Sequence, residues 1–471
     1  MSVAYAASWI APLLLGSGVV AALTGRPRAP ADFAITLGYG FVAGTMLCAL
    51  AMVPLGGIEV GRIVPITAPV LIALGAAAWW WALRRPLPPL LVAPRDDPMH
   101  PLLWILVALL VVHAALMSDE LLLRPMYPWD AWAAWLLKPK AWMQGGHLDR
   151  FVSPGEWLAD PSGALRTAAT WNYPEALGRI ALWFASAWGE WNAGIVGLPW
   201  LALWIALLAG VYGQLRALGL RTGRAVVAIY ALGSLPLINV HVALAGYADL
   251  WIATLLGFAC LAWMRGLEGA GRGHFALAAV LAMMLPLVKL EGRIWVVIFA
   301  ASMLYARMAP GLRRTALALA PAIGIGVVAA YLLRWPLIAP ALDRIGLTAD
   351  TEALLDHAPT VVGAVAEGLF AQYNWHLFGF AVALALVVRR SSLRRSPSLR
   401  VLGVFVLLGS AFLLALFMLT PAGKWAESYT AVNRLGLQIV PAMLAFAALL
   451  WREPASGGEL VCVAEAAPTG S

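Results

Sequence analysis

Charge is scarce in this sequence. Only 12% of the 471 residues are Asp, Glu, Lys or Arg, and 62% are apolar; a soluble domain carries about a quarter charged residues. Apolar runs near the ~20 residues that cross a bilayer recur throughout, which leaves no room for a large soluble domain. Cysteine is also rare. Cys48, Cys260 and Cys462 lie far apart without CxxC spacing, which excludes a disulfide framework or a cysteine zinc site. No GxGxxG or P-loop opens a helix, and no DxD occurs, so a soluble nucleotide-activated substrate has nowhere to bind. Lysine is limited to Lys138, Lys140, Lys289 and Lys424, and the net charge of +8 comes from arginine. Arginines at the cytoplasmic ends of helices give that balance without any nucleic-acid partner.

What the chain has is hydrophobic spans. Thirteen are expected, near 3–23, 33–54, 64–83, 102–117, 192–213, 225–243, 247–264, 275–288, 293–307, 315–334, 376–388, 401–419 and 435–451. The first has no basic residue before it and Arg26 and Arg28 after it, the reverse of a secretory signal peptide, so it stays as an anchor with its N-terminus outside. Alternate loops hold the arginine clusters, and those loops are read as cytoplasmic. The domain plan is then one multi-span membrane domain over residues 1–452, containing a long outer loop at 118–190, and a small, polar, disordered cytoplasmic tail at 453–471. Placement is in a bacterial inner membrane, N-terminus periplasmic and C-terminus cytoplasmic. Run 275–306 breaks at PLVKLEGR, with Pro286 and Gly292 weakening the helix; its halves are short for full crossings, and a re-entrant hairpin is the alternative.

That topology puts all four lysines and most carboxylates outside, including Asp119, Glu120, Asp130, Asp249 and Glu291. Nine of the 23 tryptophans occur between Trp129 and Trp191. In PWDAWAAWLLKPKAW, a short helix from Trp129 to Lys138, stopped by Pro139, is expected to put Trp129, Trp132 and Trp135 on one face with Asp130 in its first turn. Further on, NYPEALGRIALWFASAW starts a helix at Pro174, with Leu177, Ile180, Ala181, Phe184 and Trp188 on one side, the pattern of a helix lying in the membrane interface. The aromatics fit an interfacial belt or a surface that stacks on sugars and guides a lipid chain. A carboxylate among them is a functional candidate; a cap, or a salt bridge with Lys138 or Arg434, is the structural alternative. His241, eight residues before Asp249, stands out among scattered histidines.

The layout resembles the GT-C superfamily of membrane glycosyltransferases. The resemblance rests on PWDAWAAWLLKPKAW, NYPEALGRIALW, GYADL, LVKLEG and YTAVNRLGLQIVP, in that order over roughly residues 102–451. It implies an all-α fold of about thirteen transmembrane helices with interfacial helices in a long outer loop. It also implies a sugar carried on polyprenyl phosphate, an acceptor hydroxyl on a lipid or glycan, membrane lipids as surroundings, and chemistry on the outer face. Asp130 would be the base, and Asp249 a second carboxylate holding acceptor or an optional divalent cation (Mg²⁺ or Mn²⁺). Glu291 would position its neighbours. Lys289 and Arg434 would hold the donor phosphate, with Lys138, Lys424 and Arg293 as further cations. The acidic loop follows the fourth span instead of the first, three spans coming before that one, so Asp119 and Glu120, directly after it, compete with Asp130 for the role of base. A transporter or flippase is the rival from another class; an O-antigen-ligase-like enzyme would carry its long loop later in the chain.

Overall fold

A computed structural model describes residues 2–86, 100–316, 318–319, 351–420 and 422–453. Among them every regular element is helical, apart from an isolated parallel bridge between Phe151 and Arg166. The first helices are α1 (Val3–Thr24), α2 (Pro30–Ala51), α3 (Val60–Arg84) and α4 (Pro101–Leu123). The loop that follows holds α5 (Leu137–Gly145), α6 (Pro154–Leu158) and α7 (Ala176–Trp188). The middle of the chain forms α8 (Ala193–Ala217), α9 (Thr222–Gly233), α10 (Pro236–Ala243), α11 (Asp249–Leu267), α12 (Arg272–Val288) and α13 (Gly292–Arg307). The last stretch forms α14 (Thr351–Ala366), α15 (Phe378–Arg395), α16 (Pro397–Leu419), α17 (Gly423–Glu427), α18 (Val432–Leu437) and α19 (Val440–Leu450).

Seven of these are long and apolar enough to cross a membrane: α1, α2, α3, α4, α8, α11 and α16. The pair α9 and α10 makes an eighth if their 59° bend belongs to one broken span. The chain is a multi-pass membrane protein, but its described helices do not supply thirteen crossings. Pro236 lacks the N–H a continuous helix needs and holds Leu235 extended (φ −61°, ψ 122°), splitting the span expected at 225–243. Helices α12 and α13, at 17 and 16 residues, reach only ~25 Å at ~1.5 Å per residue, short of the ~30 Å hydrocarbon core. The expected span 435–451 is divided between the end of α18 and α19, which is 11 residues long. Apart from residues 315–316 and 318–319, the span expected at 315–334 lies outside the described residues, as does the tail after 453.

The bundle has two chemically different ends. At one, arginines donate to the terminal carbonyls of neighbouring helices: Arg265 Nη1 to Ala217 O (2.6 Å), Arg452 Nη1 to Leu218 O (3.0 Å), Arg224 Nη1 to Trp451 O (2.6 Å), and Arg85 to Ala22 O. These cations meet the negative ends of helix dipoles and satisfy carbonyls that have no partner within their own helix. Helix α11 runs from this end, at Arg265, to the other, where it starts at Asp249; all but two of its residues are buried.

Helix α7 lies under the loop and packs on α1, α2, α3, α5 and α8. Its residues from Ala176 to Ala187 are buried except Arg179, and Trp183 Nε1 donates to Ser8 O (2.9 Å). It is therefore enclosed by protein and does not rest on lipid with one bare face, since its flanking loop and the first three helices cover both sides. Close helix contact depends on small residues: a Cβ on Gly16 would fall 1.8 Å from Gly40 O, and one on Gly44 1.7 Å from Pro12 O. Gly16→Val should therefore lower the thermal midpoint of the purified protein by the equivalent of ~1–3 kcal/mol of overpacking. Gly61→Ala, in α3 with nothing within 4 Å, should leave the midpoint unchanged or raise it. Equal effects at the two sites would refute the packing assignment.

Candidate functional site

Residues from three distant stretches meet at the end of the bundle opposite the arginines. Asp249 opens α11, where the positive helix end favours an ionised carboxylate, and it is 0% exposed. Its Oδ1 accepts from Lys289 Nζ (2.9 Å) and from Gln438 Nε2 (2.7 Å), and its Oδ2 from Arg434 Nε and Nη2 (3.3 Å each). Lys289 comes from the break between α12 and α13, and Arg434 and Gln438 from α18 and its C-cap. Trp295 Nε1 donates to Gln438 Oε1 and fixes the amide so that its N–H faces Asp249. A buried carboxylate is tolerable only when its charge and lone pairs are met in this way.

Arg434 has a second task. Its Nη1 pairs with Asp130 Oδ2 at 2.6 Å, and its guanidinium lies over the Tyr247 ring at 4.6 Å. Asp130 is partly accessible, with 31% of its side chain exposed, as is Glu291. Lys289 also pairs with Glu291 at 3.3 Å. Burial pulls the Lys289 pKa down, but the carboxylates of Asp249 and Glu291 outweigh it and hold the ammonium above its ordinary value.

The turn bearing Asp130 is not the expected α-helix. Residues Ala131–Trp135 form a π-turn, closed by Leu136 N–H to Ala131 O at 2.7 Å. The wider turn breaks the three-residue repeat. Trp135 is buried against Tyr173 (5.0 Å between rings), whereas Trp129 and Trp132 are 65% and 50% exposed, so the three do not share a face. Nor does Pro139 end a helix: it sits in the first turn of α5, where a missing N–H costs nothing. Gly246 packs on this turn. Its φ of 115° suits glycine alone, and a Cβ there would lie 2.5 Å from Ala131 Cβ; this close fit sets the Asp130 turn against the Asp249 turn.

The other candidates stand elsewhere. Lys138 is 4% exposed and donates to Trp171 O (2.8 Å), Tyr173 O (3.2 Å) and Glu175 Oε1 (3.4 Å). With its three protons spent, it staples the loop together and has none left for a phosphate. Burial lowers its pKa, opposed by Glu175. Glu120, in the last turn of α4, pairs with Arg124 at 2.7 Å, and Asp119 beside it is exposed. Lys424 is exposed on α17, 5.5 Å from the Trp425 ring. Arg293 is exposed and lines a 220 Å³ cavity with Arg179 and Glu175. His241 is buried beside Tyr247, with Nδ1 bonded to Leu237 O (2.8 Å) and Nε2 without a partner among the described residues. Among the described residues no three His, Cys, Asp or Glu side chains come together as metal ligands. Asp249, Glu291 and Asp130 are instead paired with Lys289 and Arg434. Gln438 was not foreseen; its signal is a lone amide in an apolar run, four residues and one helical turn after Arg434.

Comparison with protein-family models, curated proteins and solved structures finds no match to this chain.

Removing one partner should reveal the buried pair. Lys289→Met is expected to destabilise the protein by ~3 kcal/mol, at the low end for an uncompensated buried charge because Arg434 remains; adding Asp249→Asn should restore part of the loss. Denaturation of the two variants and wild type checks this, and simple additivity would count against it. The Lys289 pairing adds stability below the ordinary lysine pKa and loses it as pH rises through the raised value. The thermal midpoint should therefore be insensitive to this pair through neutral pH and lose its contribution only above pH ~10.4. An alkaline loss of similar size in Lys289→Met would show that other groups cause it.

Proposed function

We propose that this protein is a membrane glycosyltransferase that moves a sugar from a polyprenyl-phosphate donor to an acceptor hydroxyl at the outer membrane face. The observation that carries the reading is a partly accessible carboxylate, Asp130, paired with Arg434, which together with Lys289 is anchored by the fully buried Asp249. In the reaction the acceptor oxygen attacks the anomeric carbon while Asp130 takes the hydroxyl proton. The bond from that carbon to the phosphate oxygen breaks, its electron pair leaves with the phosphate, and the anomeric configuration inverts. General-base assistance of this kind is worth ~10²- to 10⁴-fold.

Asp249 is an unsuitable base, because all its bonding capacity is already directed at Lys289, Arg434 and Gln438. Its role is to hold those groups still. The guanidinium of Arg434 offers the planar fork that matches a phosphate, and in the structure its Nη1 is held by Asp130. A donor phosphate that drew Nη1 away would hold the leaving group and unmask the base in the same movement. The outer-face placement is supported by the arginine-rich opposite end, which the positive-inside rule puts in the cytoplasm.

A second reading, a lipid or solute transporter, is favoured by the broken helices beside the charges, at Pro236 and at Lys289. Both are tested by incubating reconstituted protein with a polyprenyl-phosphate-linked sugar and membrane lipids. Wild type should transfer sugar, and Asp130→Asn should lose at least ~10²-fold with its thermal midpoint little changed. Transfer that survives Asp130→Asn sinks the mechanism, and lipid movement without transfer supports the transporter.

A further inference from the structure

The break between α12 and α13 has two faces. Lys289 turns to Asp249, whereas Leu290 and Arg293, joined by Arg293 N–H to Leu290 O (3.2 Å), line a separate cavity of about 220 Å³. The other walls of that cavity come from the last turn of α2, the start of α7, and Pro286 and Leu287 of α12. Its charged groups are accessible: Arg293 is exposed, and the side chains of Arg179 and Glu175 are 19% and 29% exposed.

Both arginines stand against the field of their own helices. Arg179 is the fourth residue of α7 and Arg293 the second of α13, in first turns whose positive end disfavours a cation. The carboxylates at those helix starts are already committed. Glu175 takes Arg179 Nη2 at 2.6 Å and Lys138 Nζ at 3.4 Å, and Glu291 takes Lys289 Nζ at 3.3 Å. Arg293 has no side-chain hydrogen bond or ion pair among the described residues. With Arg179, Arg293 and Glu175 on its walls, the cavity therefore carries one unanswered positive charge. A phosphate answers the guanidinium forks and the positive helix ends together.

Size and surroundings narrow the class. At 220 Å³ the cavity falls below the ~300–1,000 Å³ of clefts that enclose whole small molecules, so it holds a head group and leaves the rest of the molecule outside. Met283, one turn before Leu287 on α12, and Val297, one turn after Arg293 on α13, are 64% and 66% exposed. Both point the way from the cavity toward the middle of the bundle, an apolar track on which an acyl chain can lie. A zwitterionic head fits badly, because both oxygens of Glu175 are taken and its amine meets only cations. A phosphomonoester, at about −1.5 to −2 near neutral pH, exceeds the single charge on offer, and a phosphodiester matches it.

We propose that this cavity binds the phosphodiester of an anionic membrane phospholipid, with Arg293 and Arg179 on the phosphate and an acyl chain along Met283 and Val297. The site is separate from the Asp130 and Arg434 pair and stands independently of the transfer reading. It gives Arg293 a ligand other than the sugar donor.

The test uses the full-length protein in detergent micelles, read as displacement of a labelled phosphatidylglycerol by unlabelled phosphatidylglycerol, phosphatidylcholine, farnesyl phosphate or inorganic phosphate. Wild type should bind phosphatidylglycerol about tenfold more tightly than phosphatidylcholine, the equivalent of one charge-assisted hydrogen bond. Arg293→Gln, at an exposed position where folding is not at stake, should bind the two alike. Arg124→Gln, which removes the same charge from an exposed site on α4, should behave as wild type. Equal affinity of wild type for the two phospholipids overturns the charge assignment. Stronger competition by farnesyl phosphate overturns the diester, and inorganic phosphate competing as well as phosphatidylglycerol overturns the lipid. Equal weakening by Arg293→Gln and Arg124→Gln overturns the location. Asp130→Asn should bind phosphatidylglycerol as wild type does, so failure of the transfer reading and failure of this one are separable.

Discussion

A carboxylate cut off from water must be neutralised where it stands, and Asp249 is the point from which the rest of this structure can be understood. Isolated in a low-dielectric interior it would cost several kcal/mol, so the chain has to deliver cations and an amide to it. Lys289, Arg434 and Gln438 arrive from the break after α12 and from α18, 40 to 189 residues away along the chain. Satisfying one acid thereby draws the middle and the end of the sequence together. The same requirement leaves Arg434 with one unused edge, and that edge meets Asp130.

The bundle is polarised in how it handles charge. At the arginine end the cations answer helix carbonyls, an arrangement that persists at any accessible pH because guanidinium does not give up its proton. At the other end carboxylates, a lysine and an arginine answer one another. The first pattern is helix capping. The second can be rearranged by a charged visitor, because its partners, the Gln438 amide apart, are themselves ions.

Much of this second cluster was legible in the sequence, for a simple reason: in a chain with 12% charged residues, an Asp, Lys or Arg bordering an apolar run is conspicuous. Asp130, Asp249, Lys289 and Arg434 stood out on that ground. Gln438 did not, because a neutral amide contributes little to hydropathy or charge patterns. Lys138 looked like a phosphate ligand because its backbone-carbonyl partners at Trp171 and Tyr173 lie more than thirty residues away and leave no local trace. The described helices supply fewer than thirteen crossings in part because hydropathy records apolar length and does not register the break at Pro236; the break around Lys289 was legible from Pro286 and Gly292. The tryptophan spacing misled because it presumed an α-helical period where the backbone takes a wider turn.

That wider turn has a further meaning. A π-turn is an α-helical path with one residue too many, accommodated without breaking the elements on either side. Asp130 stands at its entrance. Deleting any one residue between Ala131 and Trp135 would let the segment relax to ordinary helical winding and swing what precedes it by about 100° relative to α5, carrying the carboxylate off the guanidinium. The carboxylate that meets Arg434 therefore owes its aim to a single surplus peptide unit, the kind of change that an ancestral insertion supplies in one event.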